Sequence, residues 1–264
     1  KGIQILDPDK QLRQWHPDTC VSRLDQVPMS NIDFVLIATK TTDNLQVLHQ
    51  LPATLPAKTV IVLLQNGIEM EKDWLQKYPQ TTLLSALAFV CATKRGPGFI
   101  DHQDFGNMMV GTFPQGDHEV VHQFAGFFEN SDITCAVSDH IKKERYKKLV
   151  WNAAFNPLSI LNGGLTTKEI CDDPVILSQA IQLMTEVRAI ACADQCDFSA
   201  EVIKKNVDKT HAMVPYKTSM CIDWEQQRPL EIESILGNAV RRAQQLNCPV
   251  PMLNQVYQDC LRFM

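Results

Sequence analysis

Three short, unbroken apolar runs constrain this fold most. Residues 32–38 read Ile-Asp-Phe-Val-Leu-Ile-Ala, residues 59–64 read Thr-Val-Ile-Val-Leu-Leu, and residues 83–90 read Leu-Leu-Ser-Ala-Leu-Ala-Phe-Val. None alternates apolar with polar residues. A strand apolar on both sides is covered on both faces, which is the situation inside a parallel sheet flanked by helices. Helix-length stretches at 42–51 and 67–78 separate the runs, with Pro52 and Pro56 marking a loop between two of them. Such alternation predicts a right-handed, doubly wound α/β sheet. In such sheets ligands are met at the carboxyl ends of the strands, and Lys40 and Asn66 stand at two of those ends. Residues 98–112 read as a hairpin turning at Phe105-Gly106-Asn107. Residues 116–130 read as a helix with Val120, Val121, Phe124, Phe127 and Phe128 on its apolar face, and residues 132–137 as a last strand.

After Ser138 the texture changes and helices run to the end. Asp173-Pro174 suits an N-cap followed by proline at the first helical position. Leu177, Ile181, Met184, Val187 and Ala191 then share one face. Ser199 caps another helix. Pro229 opens a third, with Ile232, Ile235, Leu236, Ala239, Val240, Ala243 and Leu246 at helical spacing, ended by Pro249 and Pro251. The expected organisation is an α/β domain over 1–137 and an all-helical domain over 138–264, with a cleft between them. All of the candidate site residues named below are expected to line that cleft, apart from Asn156 and Asn162.

A net charge of −5 argues against a nucleic-acid surface, which needs a basic stripe. No apolar run approaches the ~20 residues needed to span a bilayer. The nine cysteines are odd in number and scattered, which points away from a disulfide framework and toward a reducing, cytoplasmic compartment. Cys192 and Cys196 share a helical face, but no second ligand pair accompanies them, and no metal site is expected.

The chemistry concentrates in residues 146–157, Tyr-Lys-Lys-Leu-Val-Trp-Asn-Ala-Ala-Phe-Asn-Pro. Lys148, Asn152 and Asn156 stand four residues apart, so on a helix they share one narrow stripe. Their neighbours Leu149 and Ala153 are apolar. Spacing alone fits a lysine that reaches solvent along the helix, or a cation held at a site. Two further segments bear on the choice. Gln65-Asn66-Gly67 follows the second apolar run directly. Ser219-Met-Cys-Ile-Asp223 is followed by Glu231-Ile232.

Together, and in this order, these segments resemble the ketopantoate reductase family. Its pattern is a strand ending in lysine, a Gln-Asn-Gly turn, a Lys-Leu-x-x-Asn-x-x-x-Asn-Pro helix and a Ser-Met-x-x-Asp segment with a later Glu-Ile. The resemblance implies a Rossmann-like sheet followed by a helical domain of the 6-phosphogluconate-dehydrogenase-like type. It also implies reduction of 2-dehydropantoate to pantoate with NADPH. Lys148 would donate the proton. Glu231 would orient the ammonium and touch the cofactor. Lys40 would approach the cofactor, and Asn66 would stand between cofactor and substrate. Asn152, Asn156 and Ser219 would bind the substrate, as would Asn162 in Asn162-Gly-Gly-Leu165.

The chain departs from the pattern in two ways. The family opens with a Gly-x-Gly-x-x-Gly loop that holds the cofactor pyrophosphate, and no such fingerprint stands in these 264 residues. The resemblance starts at Lys1, so the chain reads as a member lacking its first βαβ unit, expected to bind NADPH poorly. Tyr216 stands where many members carry a smaller polar residue, which leaves open another 2-oxo acid as substrate. A non-catalytic, ligand-binding relative is the reading of another class. A homodimer is left open, and neither a membrane nor a nucleic acid is expected as partner.

Overall fold

In the structure, a computed structural model that describes residues 2–114, 116 and 118–264, the three apolar runs become adjacent strands of one mixed sheet. The chain divides into two compact units. The first comprises Lys1–Ala38, Leu45–Gln65 and Trp74–Ile141; the second comprises Thr39–Asn44, Asn66–Asp73 and Lys142–Met264. Lys1, where the resemblance begins, and Asp117, within the helix expected at 116–130, lie outside the described residues.

The first unit holds β1 (Ile3–Leu6), β2 (Leu12–Trp15), β3 (Phe34–Ile37), β4 (Val60–Leu64), β5 (Leu83–Gly96), β6 (Phe99–Thr112) and β7 (Cys135–Val137). Their order is β2-β1-β6-β5-β4-β3, with β7 also on β6. The trio β3, β4 and β5 is parallel, as unbroken apolar runs require. Along the central β4, Val60, Ile61, Val62 and Leu63 are all at most 5% exposed. Helix α1 (Asn44–Gln50) follows β3, α2 (Glu71–Lys77) follows β4, and α3 (His118–Gly126) follows β6. Val121 and Phe124 of α3 pack with Val60, Val62, Leu84, Ala86 and Val110 of the sheet. The opening hairpin β1–β2 was not legible in the sequence: Leu12 and Trp15 are exposed, so no apolar pattern marks it.

The hairpin expected within 98–112 is corrected. Residues 99–112 form one strand, antiparallel to β5 from Leu84↔Thr112 to Gly96↔Phe99. The reversal falls at Pro97-Gly98, where Gly98 has φ +73°. Phe105-Gly106 is a bulge: pairing slips between Phe89↔Asn107 and Val90↔Phe105, and Gly106 takes φ +141°. Glycine inside a strand serves a bulge as readily as a turn, and the two look alike in sequence.

The second unit is built around α4 (Ile141–Leu161). Tyr146, Leu149, Val150, Ala153, Ala154, Phe155 and Leu158 of this helix are at most 3% exposed and belong to one core. Around it stand α5 (Thr167–Asp172), α6 (Pro174–Ala193), α7 (Glu201–Ala212), α8 (Ser219–Glu225), α9 (Asn238–Gln245) and α10 (Pro251–Cys260). Helix α6 starts as the sequence indicates, with the Asp173 carboxylate accepting from the Val175 and Ile176 N–H groups. By length and composition alone α6 is apolar enough to cross a bilayer. Much of its apolar side is occupied, however, since Ala180, Leu183, Met184, Val187, Ile190 and Ala191 are fully buried in the core, while Ile181, expected on the same face, is 40% exposed. The helix expected after Pro229 differs in its first turns: Glu233–Gly237 is π-helical, and regular α9 begins only at Asn238. Periodicity of apolar residues cannot reveal one added residue in a turn.

Candidate active site

Two loops that follow strands belong, by their contacts, to the helical unit: the segment carrying Lys40 and the turn carrying Asn66. Each is bound there by the side chains that the sequence singled out.

Asn66 is the bridge. The Lys148 ammonium donates to its Oδ1 at 2.9 Å, and its Nδ2 donates to Glu231 Oε2 at 3.4 Å. The Glu231 carboxylate, 5% exposed, is a hub. Its Oε1 accepts from the Thr41 N–H at 3.1 Å and from the Thr41 hydroxyl at 3.0 Å, and Lys40 Nζ stands 3.7 Å from Oε2. Thr41 also shares a 2.8 Å hydrogen bond with Ser234. Lys40 is ion-paired with buried Asp223, whose other oxygen takes Arg228 at 2.8 Å. Lys40, Asn66, Lys148 and Glu231 are therefore brought together. A lysine on α4 and a glutamate ahead of the π-helical turn are linked through one carboxamide.

The turn is held in place by geometry that only glycine allows. Gly67 has φ +93°, and a Cβ there would come 2.2 Å from the Ser234 carbonyl oxygen. Ile68 N–H donates to that same oxygen at 3.1 Å, and Asn238 Nδ2 donates to the Ile68 carbonyl at 2.7 Å.

Lys148 is partly buried, and burial pulls its ammonium down to about 8. The positive charge of Arg145 lowers it further, while Glu231 opposes the shift. Lys147, the neighbouring lysine, instead pairs with Glu144 at 2.7 Å.

One and two turns along α4, Asn152 is 6% exposed and Asn156 is 1% exposed. Both amide atoms of Asn156 are buried with no hydrogen-bond partner among the described residues. Such a group costs about 1–3 kcal/mol unless something else satisfies it. Ser219 is not the cap of α8. Thr218 is, its hydroxyl accepting from the Cys221 N–H at 3.2 Å. Ser219 is the first helical residue, one turn ahead of Asp223, the residue that holds Lys40. Asn162 is not brought to the cluster by any contact among the described residues. It is exposed past the end of α4, and its Nδ2 donates to the Leu158 carbonyl at 2.8 Å, a helix-ending role. Tyr216 is tied by its backbone to Thr167, whose N–H donates to the Tyr216 carbonyl at 2.8 Å.

Thr41, Asp223 and Ser234 received no role from sequence. Asp223 closes the Ser-Met-x-x-Asp segment and was findable as such. Thr41 and Ser234 carry no local signal, because their part depends on the π-helical turn.

The arrangement offers an acidic, partly desolvated ammonium, a carboxamide that orients it and two buried amides further along the same helix. That set can donate a proton to an oxygen on which negative charge develops, while binding a small polar molecule.

Family models match nearly the whole chain. One described as Ketopantoate reductase PanE/ApbA matches residues 1–115, and one for the C-terminal part of the same family matches residues 140–262. A 2-dehydropantoate 2-reductase of Nostoc sp. is 33% identical over 249 residues, covering 91% of this chain and 76% of that protein. The crystal structure of 2-dehydropantoate 2-reductase from Methylococcus capsulatus superposes with TM-score 0.87 at 34% identity, covering 99% of this chain and 84% of that one. A ternary structure of D-mandelate dehydrogenase with NADH and anilino(oxo)acetate also gives TM-score 0.87, covering 99% of this chain and 84% of that one; at 17% identity it shares the fold alone.

Proposed function

The chain belongs to the ketopantoate reductase family, and from that premise we propose that it reduces 2-dehydropantoate to pantoate with NADPH, in the cytoplasm. When bound, the reduced nicotinamide supplies the hydride. The residues present suit its reacting end: Lys40, Asn66 and Glu231 put donors and a carboxylate together at one place. The chain carries no Gly-x-Gly-x-x-Gly loop for the pyrophosphate, and no residue is assigned to that part.

Lys148 gives its Nζ proton to the ketone oxygen as that oxygen gains charge. An ammonium titrating near 8 is about nine-tenths protonated at pH 7, and it is a stronger acid than a free lysine at ~10.4. Asn66 fixes the direction of that ammonium through its Oδ1 and is itself fixed by Glu231. Glu231 therefore orients the lysine through the carboxamide and holds Lys40 beside it. Asn152 and Asn156 bind the hydroxyl and oxo groups. The Asn156 amide, without a partner among the described residues, is what a polar substrate would satisfy. Ser219, free of capping duty, takes the carboxylate.

The observation that supports this reading above the others is the Lys148–Asn66–Glu231 chain around a partly desolvated ammonium. The test is NADPH oxidation followed by absorbance with 2-dehydropantoate as substrate. Turnover that Lys148→Ala abolishes is expected; turnover indifferent to that change refutes the assignment. Half-buried Tyr216 favours one second reading, a bulkier or differently shaped 2-oxo acid. A panel of 2-oxo acids separates the two by kcat/KM.

A further inference from the structure

Arg145 and Glu71 form an ion pair that is buried completely. Arg145 Nε donates to Glu71 Oε1 at 2.7 Å, and both side chains are 1% exposed. A buried pair of this kind is poor evidence for stability, since desolvating two charges offsets their attraction. Its placement suggests another use. Arg145 lies on α4 three residues before Lys148, so the two cations are neighbours on one helix face. Glu71 opens α2, directly after the segment that carries Asn66. A second guanidinium nitrogen, Nη1, donates to the Gly67 carbonyl at 3.2 Å. One planar fork thus holds the 67–71 segment at both ends, at the carbonyl beside Asn66 and at the first residue of the following helix.

We infer that Arg145, anchored by Glu71, is a positioning residue that clamps the Asn66 turn to the lysine helix so that Asn66 Oδ1 meets Lys148 Nζ. A guanidinium suits this role because its donors stand in a rigid planar fork that reaches two acceptors in fixed geometry, whereas a lysine's three N–H groups radiate from one nitrogen on a flexible stem. The same charge, one turn from Lys148, also keeps that ammonium acidic. The charged groups bearing on Lys148 are Arg145 on its own helix and Glu231 from the segment ahead of the π-helical turn. Lys40 and Asp223 form the next layer around Glu231.

The inference rests on the proposed reductase reading for its consequence in turnover, but its geometry can be tested without turnover. Two variants are compared with the unaltered protein: Arg145→Lys, which keeps the charge, and the double variant Arg145→Met with Glu71→Gln, which removes the pair without leaving a buried charge alone. Circular dichroism and thermal melting establish that each is folded. The Lys148 side chain is titrated by NMR with labelled lysine, Lys148→Arg identifying the signal, and the Asn66 side-chain amide signals are recorded alongside. In both variants the Asn66 amide signals are expected to shift and kcat to fall roughly 10²-fold, the cost of a misplacement of about 1 Å, with the KM for cofactor changing little. Lys148 should keep its low titration in Arg145→Lys and titrate higher in the double variant. If the double variant does not fold, Arg145→Lys alone decides through the amide signals. Unmoved Asn66 signals with unchanged kcat in a folded variant overturn the inference. If the unaltered protein reduces no 2-oxo acid, the reductase reading fails, while the Asn66 signals still decide the clamp.

Discussion

Replacing Lys148 with methionine should abolish turnover and yet leave the protein more stable at pH 7. The ammonium titrates near 8, against ~10.4 for a free lysine. That lowering corresponds to about 3 kcal/mol that folding spends in holding the charged form at neutral pH. Methionine has a similar length and carries no charge, so it removes the cost. It also leaves Asn66 Oδ1 without the Lys148 donor, which takes back about 1–2 kcal/mol. The net gain at pH 7 is about 1–2 kcal/mol. Its dependence on pH is the sharper quantity. Between pH 8 and ~10.4 the unfolded chain still holds a proton that the folded lysine has lost, so the unaltered protein gains stability as pH rises. The advantage of methionine should therefore be about 2 kcal/mol smaller at pH 10 than at pH 7. Urea unfolding of the two proteins at pH 7, 8, 9 and 10 measures this, with Lys147→Met as the control, because that lysine sits in an ordinary pair with Glu144. A Lys148→Met advantage that stays constant from pH 7 to pH 10 would refute the claim that Lys148 is held against its solvation.

Three further outcomes are expected. Lys148→Ala should lower kcat by roughly 10²–10⁴-fold and Lys147→Ala should leave it nearly unchanged, and kcat of the unaltered enzyme should decline as pH rises through about 8, where Lys148 loses its proton; steady-state assays across pH 6–10 check both. Asn156→Leu should raise the melting temperature, because it removes a buried carboxamide that lacks partners among the described residues, at a cost of about 1–3 kcal/mol, while raising the KM for the 2-oxo acid; a lower melting temperature with unchanged KM would assign that amide to the fold instead. Gly67→Ala should cost about 3 kcal/mol or more, since φ is +93° and the new Cβ would meet backbone at 2.2 Å; a melting temperature equal to that of the unaltered protein would contradict the described turn.

Much of the sheet was legible because burial on both faces leaves a mark in sequence. Val60, Val62 and Leu84 could be placed from their unbroken apolar context alone. The helical half was legible through caps and spacing, as at Asp173-Pro174. The losses have specific causes. The four-residue strands β1 and β2, the second at the sheet edge, bury little, so they leave only a faint pattern. Gly106 reads as a turn in sequence because glycine answers a bulge and a reversal with the same backbone freedom. Within the site, motif order points to Lys148, Asn66 and Glu231, but not to the link through a carboxamide. Thr41, Asp223 and Ser234 act through partners more than 180 positions away, or receive such partners, and local sequence holds no trace of that distance. Asn162 is ambiguous in sequence because an asparagine just past a helix end is a common cap as well as a common ligand, and in the structure its amide donates to the Leu158 carbonyl.

The π-helical turn at Glu233–Gly237 has a consequence for how this chain can vary. Its widened bonding, with the Asn238 N–H reaching the Glu233 carbonyl, leaves the Ser234 carbonyl facing the Ile68 N–H. Deleting one residue from these five would give a regular helix and, by local energetics alone, a better one. It would also turn everything ahead of it by about 100° relative to α9, carrying Glu231 and Ser234 away from Thr41. Natural or engineered length changes should therefore accumulate at both flanks of this stretch and avoid its interior, however poorly the five residues themselves score as helix formers. A library of single-residue deletions across 226–250, scored separately for soluble yield and for turnover, would display that pattern as a narrow window in which protein is made but turnover is lost.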